Sequence, residues 1–256
     1  MGLLDAPAPV LSWLDSGLSA FLPEILRLVL WGFLGAVLSM TLYSLVSPQR
    51  RLTALKASIA DARRDLAGYD GEFEGLWPRI GRLLGLSFRQ LGLVLLPALI
   101  ASLPVLALLV WTSNQFGYHL PSSGTLVSVS VEGPGERVSW QGEGPQGLTT
   151  ADQVNEISWP GQDEALVLVD PSGEPALWLP LEEPAPVVHK RFWWNGLIGN
   201  PAGYLPDEAP VDAVHFDLPR QQFLPLGPSW LRGGEAVLLI SLLVVSLIIK
   251  VAFRIV

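Results

Sequence analysis

Residues 25–51 read ILRLVLWGFLGAVLSMTLYSLVSPQRR, an apolar run that ends in a Ser-Pro step and two arginines. A hydrocarbon core of about 30 Å is crossed by about 20 helical residues, so residues 25–46 are long enough to span a bilayer. Residues 1–24 contain no Lys or Arg and no small-residue cleavage site follows the run, which argues against a signal peptide. The stretch therefore predicts a retained transmembrane helix, with Arg50 and Arg51 at its cytoplasmic end.

Two more apolar runs predict a second transmembrane helix in residues 91–112 and a third in residues 235–256. Pro97 and Pro104 lie in the second run, where prolines kink a membrane helix more often than they exclude one. The third run is long enough if Lys250 extends its charged end to the headgroups. The chain is 50% hydrophobic and only 16% charged, with a mean hydropathy of +0.40. This composition is too apolar for an ordinary soluble domain.

The distribution of basic residues predicts the orientation of these helices. Residues 47–90 hold eight Lys or Arg against five Asp or Glu, whereas residues 113–235 hold five against sixteen. Because positively charged loops stay in the cytoplasm, residues 47–90 are predicted to be cytoplasmic, with the N-terminus and the acidic middle segment outside. Arg outnumbers Lys 13 to 3, which is typical of a GC-rich bacterial genome. We therefore expect a multi-pass protein of the bacterial inner membrane with a cytoplasmic C-terminus.

Residues 1–24 predict a short amphipathic helix on the outer membrane face, because apolar residues recur there at helical spacing. These residues are Leu11, Leu14, Leu18, Phe21 and Leu22. An irregular leader that only tethers the first span is the alternative. Arg27, near the outer end of that span, is interpreted as an interfacial anchor.

Residues 47–90 predict a coiled-coil hairpin, because apolar residues step by three and four along both halves of the segment. The first seam comprises Leu52, Leu55, Ile59, Ala62 and Leu66, and the second comprises Tyr69, Phe73, Leu76, Ile80 and Leu83. Residues 68–71, Gly-Tyr-Asp-Gly, supply the turn. Gly75, Pro78, Gly81 and Gly85 weaken the second arm, and a charged linker without packed arms is the alternative. The candidate contact residues of the hairpin are Arg50, Arg51, Arg63 and Arg64.

Residues 113–234 predict an extracytoplasmic, mainly β domain. The segment is rich in Gly, Pro, Ser and Glu and contains short alternating runs at 125–131, 165–170, 176–179 and 213–217. A small sandwich or partial barrel is expected. The predicted fold class is thus an α-helical membrane protein with three transmembrane helices, a cytoplasmic hairpin and an inserted β domain.

The sequence offers little support for catalysis. The three histidines lie far apart, and no nucleophile elbow, P-loop or zincin pattern occurs. We expect no enzymatic activity, no cofactor and no metal site, although His189, Asp212 and His215 could converge on a metal. The net charge of −8 also gives no reason to expect nucleic-acid binding apart from ribosome contact.

One stretch of the middle segment, residues 189–198, places two adjacent tryptophans beside two cations. Tryptophan favours wet interfaces, so Arg191, Phe192, Trp193 and Trp194 are candidates for a loop that docks a partner or lipid headgroups. Equally, one tryptophan could fill the β core while the rest has no special role.

Hydroxyl groups are the main polar groups inside the three apolar runs. They belong to Ser39, Thr41, Tyr43, Ser44, Ser102, Ser241 and Ser246. By default such hydroxyls bond their own helix backbone. If they faced one cavity, they would form a mildly hydrophilic groove open to the cytoplasm.

The order of these segments resembles the YidC/Oxa superfamily of membrane insertases, and particularly its minimal three-span branch. That branch includes archaeal YidC-like proteins and the third subunit of the endoplasmic reticulum membrane protein complex. The resemblance is carried by LVSPQRRL at 45–52, LPALIASLP at 96–104 and Trp111. In contrast to bacterial members, the first span has no central arginine, and a whole domain stands where minimal members have a short loop.

The resemblance implies a cytoplasm-facing groove, lined by the hydroxyl residues above, that receives polar parts of a client. The hairpin would then contact client membrane proteins or the ribosome, and the protein would act as an insertase or membrane chaperone. The alternative is a non-catalytic scaffold subunit of an envelope complex, whose β domain binds a stoichiometric protein partner or a glycan. Membrane lipids are expected as partners in either case.

Overall fold

The computed structural model describes residues 2–133, 139–140, 154–160, 166–169, 175–179 and 183–253. The chain forms two compact units. One comprises Met1–Leu28 and Leu109–Val237, and the other comprises Val29–Leu108 and Leu238–Val256.

Six α-helices are present in the described residues. They are α1 (Ala8–Ser19), α2 (Glu24–Val46), α3 (Gln49–Ala67), α4 (Leu76–Phe116), α5 (Ser229–Arg232) and α6 (Gly234–Ala252). Short 3-10 segments occur at Leu3–Asp5, Phe73–Gly75 and Trp193–Gly196.

Three of the helices are long and apolar enough to cross a membrane. They occupy Glu24–Val46, Phe73–Phe116 and Gly234–Ala252, and only 33%, 22% and 17% of their most apolar windows are buried inside the protein. Apolar helices that leave most of their surface uncovered are compatible with a membrane protein, because lipid can cover what the protein does not.

Helix α4 continues through the predicted boundary at residue 90 as one helix of 41 residues. Pro78 does not interrupt it, because this proline lies in the first turn, where its missing N–H has no intrahelical acceptor. Pro97 and Pro104 lie within the helix, which nevertheless continues to Phe116. At 1.5 Å per residue the helix is about 60 Å long, roughly twice the thickness of a hydrocarbon core.

Helix α3 confirms the apolar seam predicted for the first arm of the hairpin. Leu52, Leu55, Ile59 and Ala62 are all buried, whereas most of the intervening residues are exposed. In the second arm Leu76, Ile80 and Leu83 are half-buried and Phe73 is exposed. Burial therefore follows the heptad more closely in α3 than in the first turns of α4.

The seven described strands form two antiparallel sheets. Their bounds are β1 (Leu126–Glu132), β2 (Ser139–Trp140), β3 (Val154–Ser158), β4 (Leu166–Val169), β5 (Pro175–Leu179), β6 (Val187–His189) and β7 (Ala213–Phe216). The four-stranded sheet has the order β3-β1-β7-β6, and the three-stranded sheet has the order β2-β4-β5. Strands β1, β4, β5 and β7 coincide with the four predicted alternating runs.

The core of the β domain follows from strand alternation. Val127, Val129 and Val131 of β1 are buried, while the residues between them are only partly covered. They pack in one cluster with Val214 of β7 and with Leu179 of β5, which belongs to the other sheet. Both sheets therefore contribute to one hydrophobic core.

Candidate functional site

The predicted groove hydroxyls divide into two groups in the structure. Ser39 Oγ donates to the Ala101 carbonyl of α4 at 2.7 Å, and Ser241 Oγ of α6 donates to the Val29 carbonyl of α2 at 2.9 Å. These two hydroxyls link neighbouring helices. They satisfy polar groups across a helix contact rather than present them to a cavity.

Three of the other five hydroxyls bond carbonyls of their own helices, and the five differ in burial. Thr41, Ser44 and Ser102 donate to carbonyls of their own helices, at Val37, Thr41 and Leu99 respectively. Thr41 and Ser44 are exposed, and Tyr43, Ser102 and Ser246 are half-buried. Local back-bonding, the default explanation for such hydroxyls, therefore accounts for three of the seven.

Two glycines of α2 allow the three apolar helices to approach closely. A Cβ atom on Gly32 would lie 2.7 Å from the Ser241 Cβ atom and 2.8 Å from the Leu238 carbonyl oxygen. A Cβ atom on Gly35 would lie 2.6 Å from Leu108 Cδ1. Small residues at these positions are what allow helix backbones to approach in lipid, where packing rather than water exclusion drives association.

The basic hairpin has a cleft along α3 that several basic side chains border. A cavity of ≈ 410 Å³ is lined by Lys56, Ile59, Ala60, Arg63, Arg64 and Gln90. Arg64 pairs with Asp61 at 2.5 Å, and both side chains are exposed. Arg50, Arg51 and Arg63 are also exposed, so all four predicted hairpin contact residues are accessible to an anionic partner.

The turn of the hairpin is held by Arg79. Its guanidinium lies 3.9 Å from the centre of the Tyr69 ring and donates to the Gly75 carbonyl at 2.8 Å. The Arg79 Nε atom lies 3.5 Å from Asp65 of α3. These contacts join the end of one arm to the start of the other, which supports a packed hairpin over a loose linker.

A buried ion pair joins Arg27 of α2, the predicted interfacial anchor, to Asp15 of α1. Arg27 is 8% exposed and Asp15 only 3% exposed, and their side chains form a salt bridge. The guanidinium also lies 5.4 Å from the centre of the Phe116 ring. Residues 6–49 contain only three charged residues, Asp15, Glu24 and Arg27. Lone opposite charges in an apolar segment were the sequence signal for this pair.

The predicted docking loop forms a compact 3-10 turn. Asn195 is buried; its Oδ1 atom accepts from the Phe192 N–H at 2.6 Å and its Nδ2 atom donates to the Ile198 carbonyl. The Phe192 and Trp194 rings stack at 5.9 Å, and Trp194 also contacts His189. Trp193, by contrast, is 92% exposed.

The structure gives the two tryptophans different roles. Trp194 packs against the side of the β domain, while Trp193 projects from the same turn. Among the described residues, the buried core of the domain is formed by other side chains, such as Trp159 and Phe216. The alternative in which one of these tryptophans fills the core is therefore wrong.

The histidines and nearby charged residues form separate contacts. His189 Nδ1 lies 2.6 Å from the Lys190 carbonyl, Lys190 Nζ lies 2.9 Å from Asp212, and His215 Nε2 lies 3.1 Å from Glu132. Within the described residues, no group of three His, Cys, Asp or Glu side chains could hold a metal ion.

The N-terminal segment is fastened to the docking loop, a contact that the sequence pattern did not indicate. The Leu4 N–H donates to the Leu197 carbonyl at 2.9 Å, and Asp5 Oδ2 accepts from the N–H groups of Gly2 and Gly199. A side chain at Gly2 would meet the Leu197 carbonyl carbon at 2.6 Å, so the two backbones touch there.

No known protein family, curated protein or solved structure matches this chain.

A small cavity is lined in part by the fastened N-terminal segment. It has a volume of ≈ 260 Å³, and its lining includes Asp5, Ser12, Asn114, Gln115 and Glu183. Trp111 also lines it and donates its indole N–H to Ser12 Oγ at 2.9 Å. The cavity thus lies between α1, the end of α4 and residues 199–201, which follow the docking turn (residues 192–198).

Proposed function

We propose that this chain is a YidC-like membrane insertase or membrane chaperone of the bacterial inner membrane. Its three apolar helices cross the bilayer, its N-terminus and β domain lie outside, and its basic hairpin and C-terminus lie in the cytoplasm. The proposal rests on the resemblance in segment order and on the basic residues of 47–90.

One structural observation carries the proposal. Helix α4 is about twice as long as the hydrocarbon core of a bilayer is thick, and its start is joined to the end of α3 and the turn through Arg79, Asp65 and Tyr69. A basic, exposed hairpin that continues directly into a membrane span can hold a client or ribosome near the cytoplasmic end of that span. An anionic surface such as ribosomal RNA would be attracted to it.

Within α2, the proposed groove is confined to the cytoplasmic half. Ser39 and Ser241 are used in contacts between helices, so they are poor candidates for contact with a client. Thr41, Tyr43 and Ser44 lie beyond that contact, and Thr41 and Ser44 are exposed. Hydroxyls there would lower the free-energy cost of bringing a polar client segment into the membrane, because that segment would find partners in place of water.

A second candidate function is a non-catalytic scaffold subunit. The glycine contacts and interhelical hydrogen bonds at Gly32, Ser39 and Ser241 favour it, because close packing of this kind is typical of a static bundle. In that function the spans pack against other membrane proteins and the β domain binds a fixed partner.

Site-specific photocrosslinking in cells distinguishes the two functions. A photoreactive phenylalanine at Tyr43 should crosslink to ribosome-bound membrane-protein chains, and the same residue at the exposed Leu38 should crosslink to them much less. Release of nascent chains by puromycin should abolish the Tyr43 adducts. One stoichiometric adduct that survives puromycin would contradict insertion and support the scaffold.

A further inference from the structure

The outward face of α1 carries large apolar side chains, while Ser12 and Asp15 point inward and the exposed Ser16 and Ser19 donate to carbonyls of the same helix. Val10 and Trp13 are 60% and 73% exposed, and Leu14 is also exposed. Asp15 is buried against Arg27, and Ser12 accepts the indole N–H of Trp111. A helix that faced water would show the opposite distribution, so the outer face of α1 is suited to an apolar environment.

The docking turn presents a second apolar surface in the same unit. Phe192, Trp193, Leu197 and Ile198 are all exposed on a turn that the Asn195 side chain holds rigid. Exposed apolar groups that are clustered and rigidly held indicate an interaction surface. Arg191, also exposed, places a cation beside them that can reach a phosphate oxygen.

Backbone contacts place the two surfaces side by side. The hydrogen bonds from Leu4 to Leu197 and from Gly199 to Asp5 fasten the docking turn to the segment that begins α1. Leu3, between the two, is 69% exposed. Because α1 is followed after four residues by the first apolar helix, the docking turn is tethered to a point where the chain enters the membrane.

Another exposed tryptophan precedes the last apolar helix of the chain. Trp230 is 72% exposed in α5, and α6 begins at Gly234. Tryptophan is concentrated at the level of lipid headgroups, because its ring is apolar and its N–H needs a polar partner. The exposure of Trp13, Trp193 and Trp230 follows this pattern.

We propose that Leu3, Val10, Trp13 and the Phe192–Ile198 turn together form a membrane-facing surface, with Trp193 inserted among phospholipid headgroups. The β domain is thereby held against the bilayer. The occupant of the docking loop is phospholipid, not a protein partner. This inference rests on the proposed membrane-spanning arrangement, but not on insertase activity.

Spin labels test the proposal cleanly, because the chain has no native cysteine. Leu197→Cys carries the label next to Trp193, and Glu156→Cys is the control on β3, the opposite edge of the four-stranded sheet from β6. In phospholipid nanodiscs, the measured quantity is the ratio of oxygen accessibility to accessibility to a water-soluble nickel chelate. This ratio should be at least threefold higher for the label at 197 than for the label at 156. Adding Trp193→Asp should remove most of that difference.

Equal nickel accessibility at 197 and 156 would overturn the proposal. Protection of the label at 197 from nickel in native membranes but not in nanodiscs would also overturn the proposal, because it would indicate that a protein partner covers this surface. A third label, Val244→Cys on an exposed face of α6, separates these results from a failure of the membrane arrangement. If Val244 is also accessible to nickel, the spanning helices themselves are misassigned.

Discussion

The buried pair of Asp15 and Arg27 shows how single residues organise the start of the chain. Each charge would be costly to bury alone, so the pair forms only where α1 and α2 fold against each other. The Phe116 ring beside Arg27 adds a cation–π contact from the end of α4. The pair therefore fixes the orientation of α1, and with it the outward direction of Val10 and Trp13.

Replacing Asp15 with Asn should lower the free energy of unfolding by about 3 kcal/mol, because it leaves Arg27 buried without a counter-charge. An SDS titration of the protein in mixed micelles measures the change. The control is Glu24→Gln, since Glu24 lies 3.8 Å from the same guanidinium but has an exposed side chain. That change should cost less than about 1 kcal/mol. Equal effects of the two variants would show that the Asp15–Arg27 pair is not buried in solution.

At the scale of elements, the close approach of α2 and α6 depends on Gly32. Ala at this position should lower the free energy of unfolding by about 1–3 kcal/mol, because the new methyl group meets the α6 backbone at Leu238. The matched control is Gly17→Ala in α1, where nothing lies within 4 Å of the added atom. There the better helix propensity of Ala should stabilise the protein by up to about 1 kcal/mol. The same SDS titration reports both, and a neutral Gly32→Ala would contradict the tight helix contact.

The hairpin provides a second test of element packing. Leu55→Asp with Ile59→Asp would bury unpaired carboxylates in the α3 seam, which is disfavoured by several kcal/mol. Each 1.4 kcal/mol raises the open population tenfold, so trypsin should cleave at Lys56, Arg63 and Arg64 at least about tenfold faster. Ala57→Asp, on the exposed side of α3, is the control and should leave the rate unchanged. Unchanged cleavage in the double variant would argue that the arms do not pack.

For the whole molecule, the first prediction concerns topology. Asp70 in the hairpin turn and Asp207 in the β domain are both exposed, so cysteine at either position can be labelled without unfolding. In intact spheroplasts a membrane-impermeant maleimide should label Asp207→Cys and not Asp70→Cys; after lysis it should label both. The opposite pattern would reverse the orientation inferred from the basic residues.

A second whole-molecule prediction concerns hydration of the proposed groove. Cysteines at Thr41, Tyr43 and Ser102 should react with a small hydrophilic maleimide in membranes, because the reactive thiolate forms only where water reaches it. Cysteines at Leu38 and Leu106, exposed apolar positions of α2 and α4, should react at least about tenfold more slowly. Uniform protection at all five positions would remove the mechanism of insertion and favour the scaffold.

Much of this architecture could be predicted from local sequence. The three apolar helices follow from run length, the α3 seam from steps of three and four, and β1, β4, β5 and β7 from alternation. These features depend on the period of apolar residues along a single segment. Orientation and function remain predictions, because charge counts and segment order suggest them without a contact that tests them.

The contacts between distant residues could not be predicted in this way. Ser39 and Thr41 look alike in sequence, yet one bonds α4 and the other bonds its own helix. Trp193 and Trp194 are adjacent, yet one is almost fully exposed and the other packs on His189. The physical reason is common to both cases: side-chain direction and burial depend on which elements the fold brings alongside, and local periodicity contains no information about those neighbours.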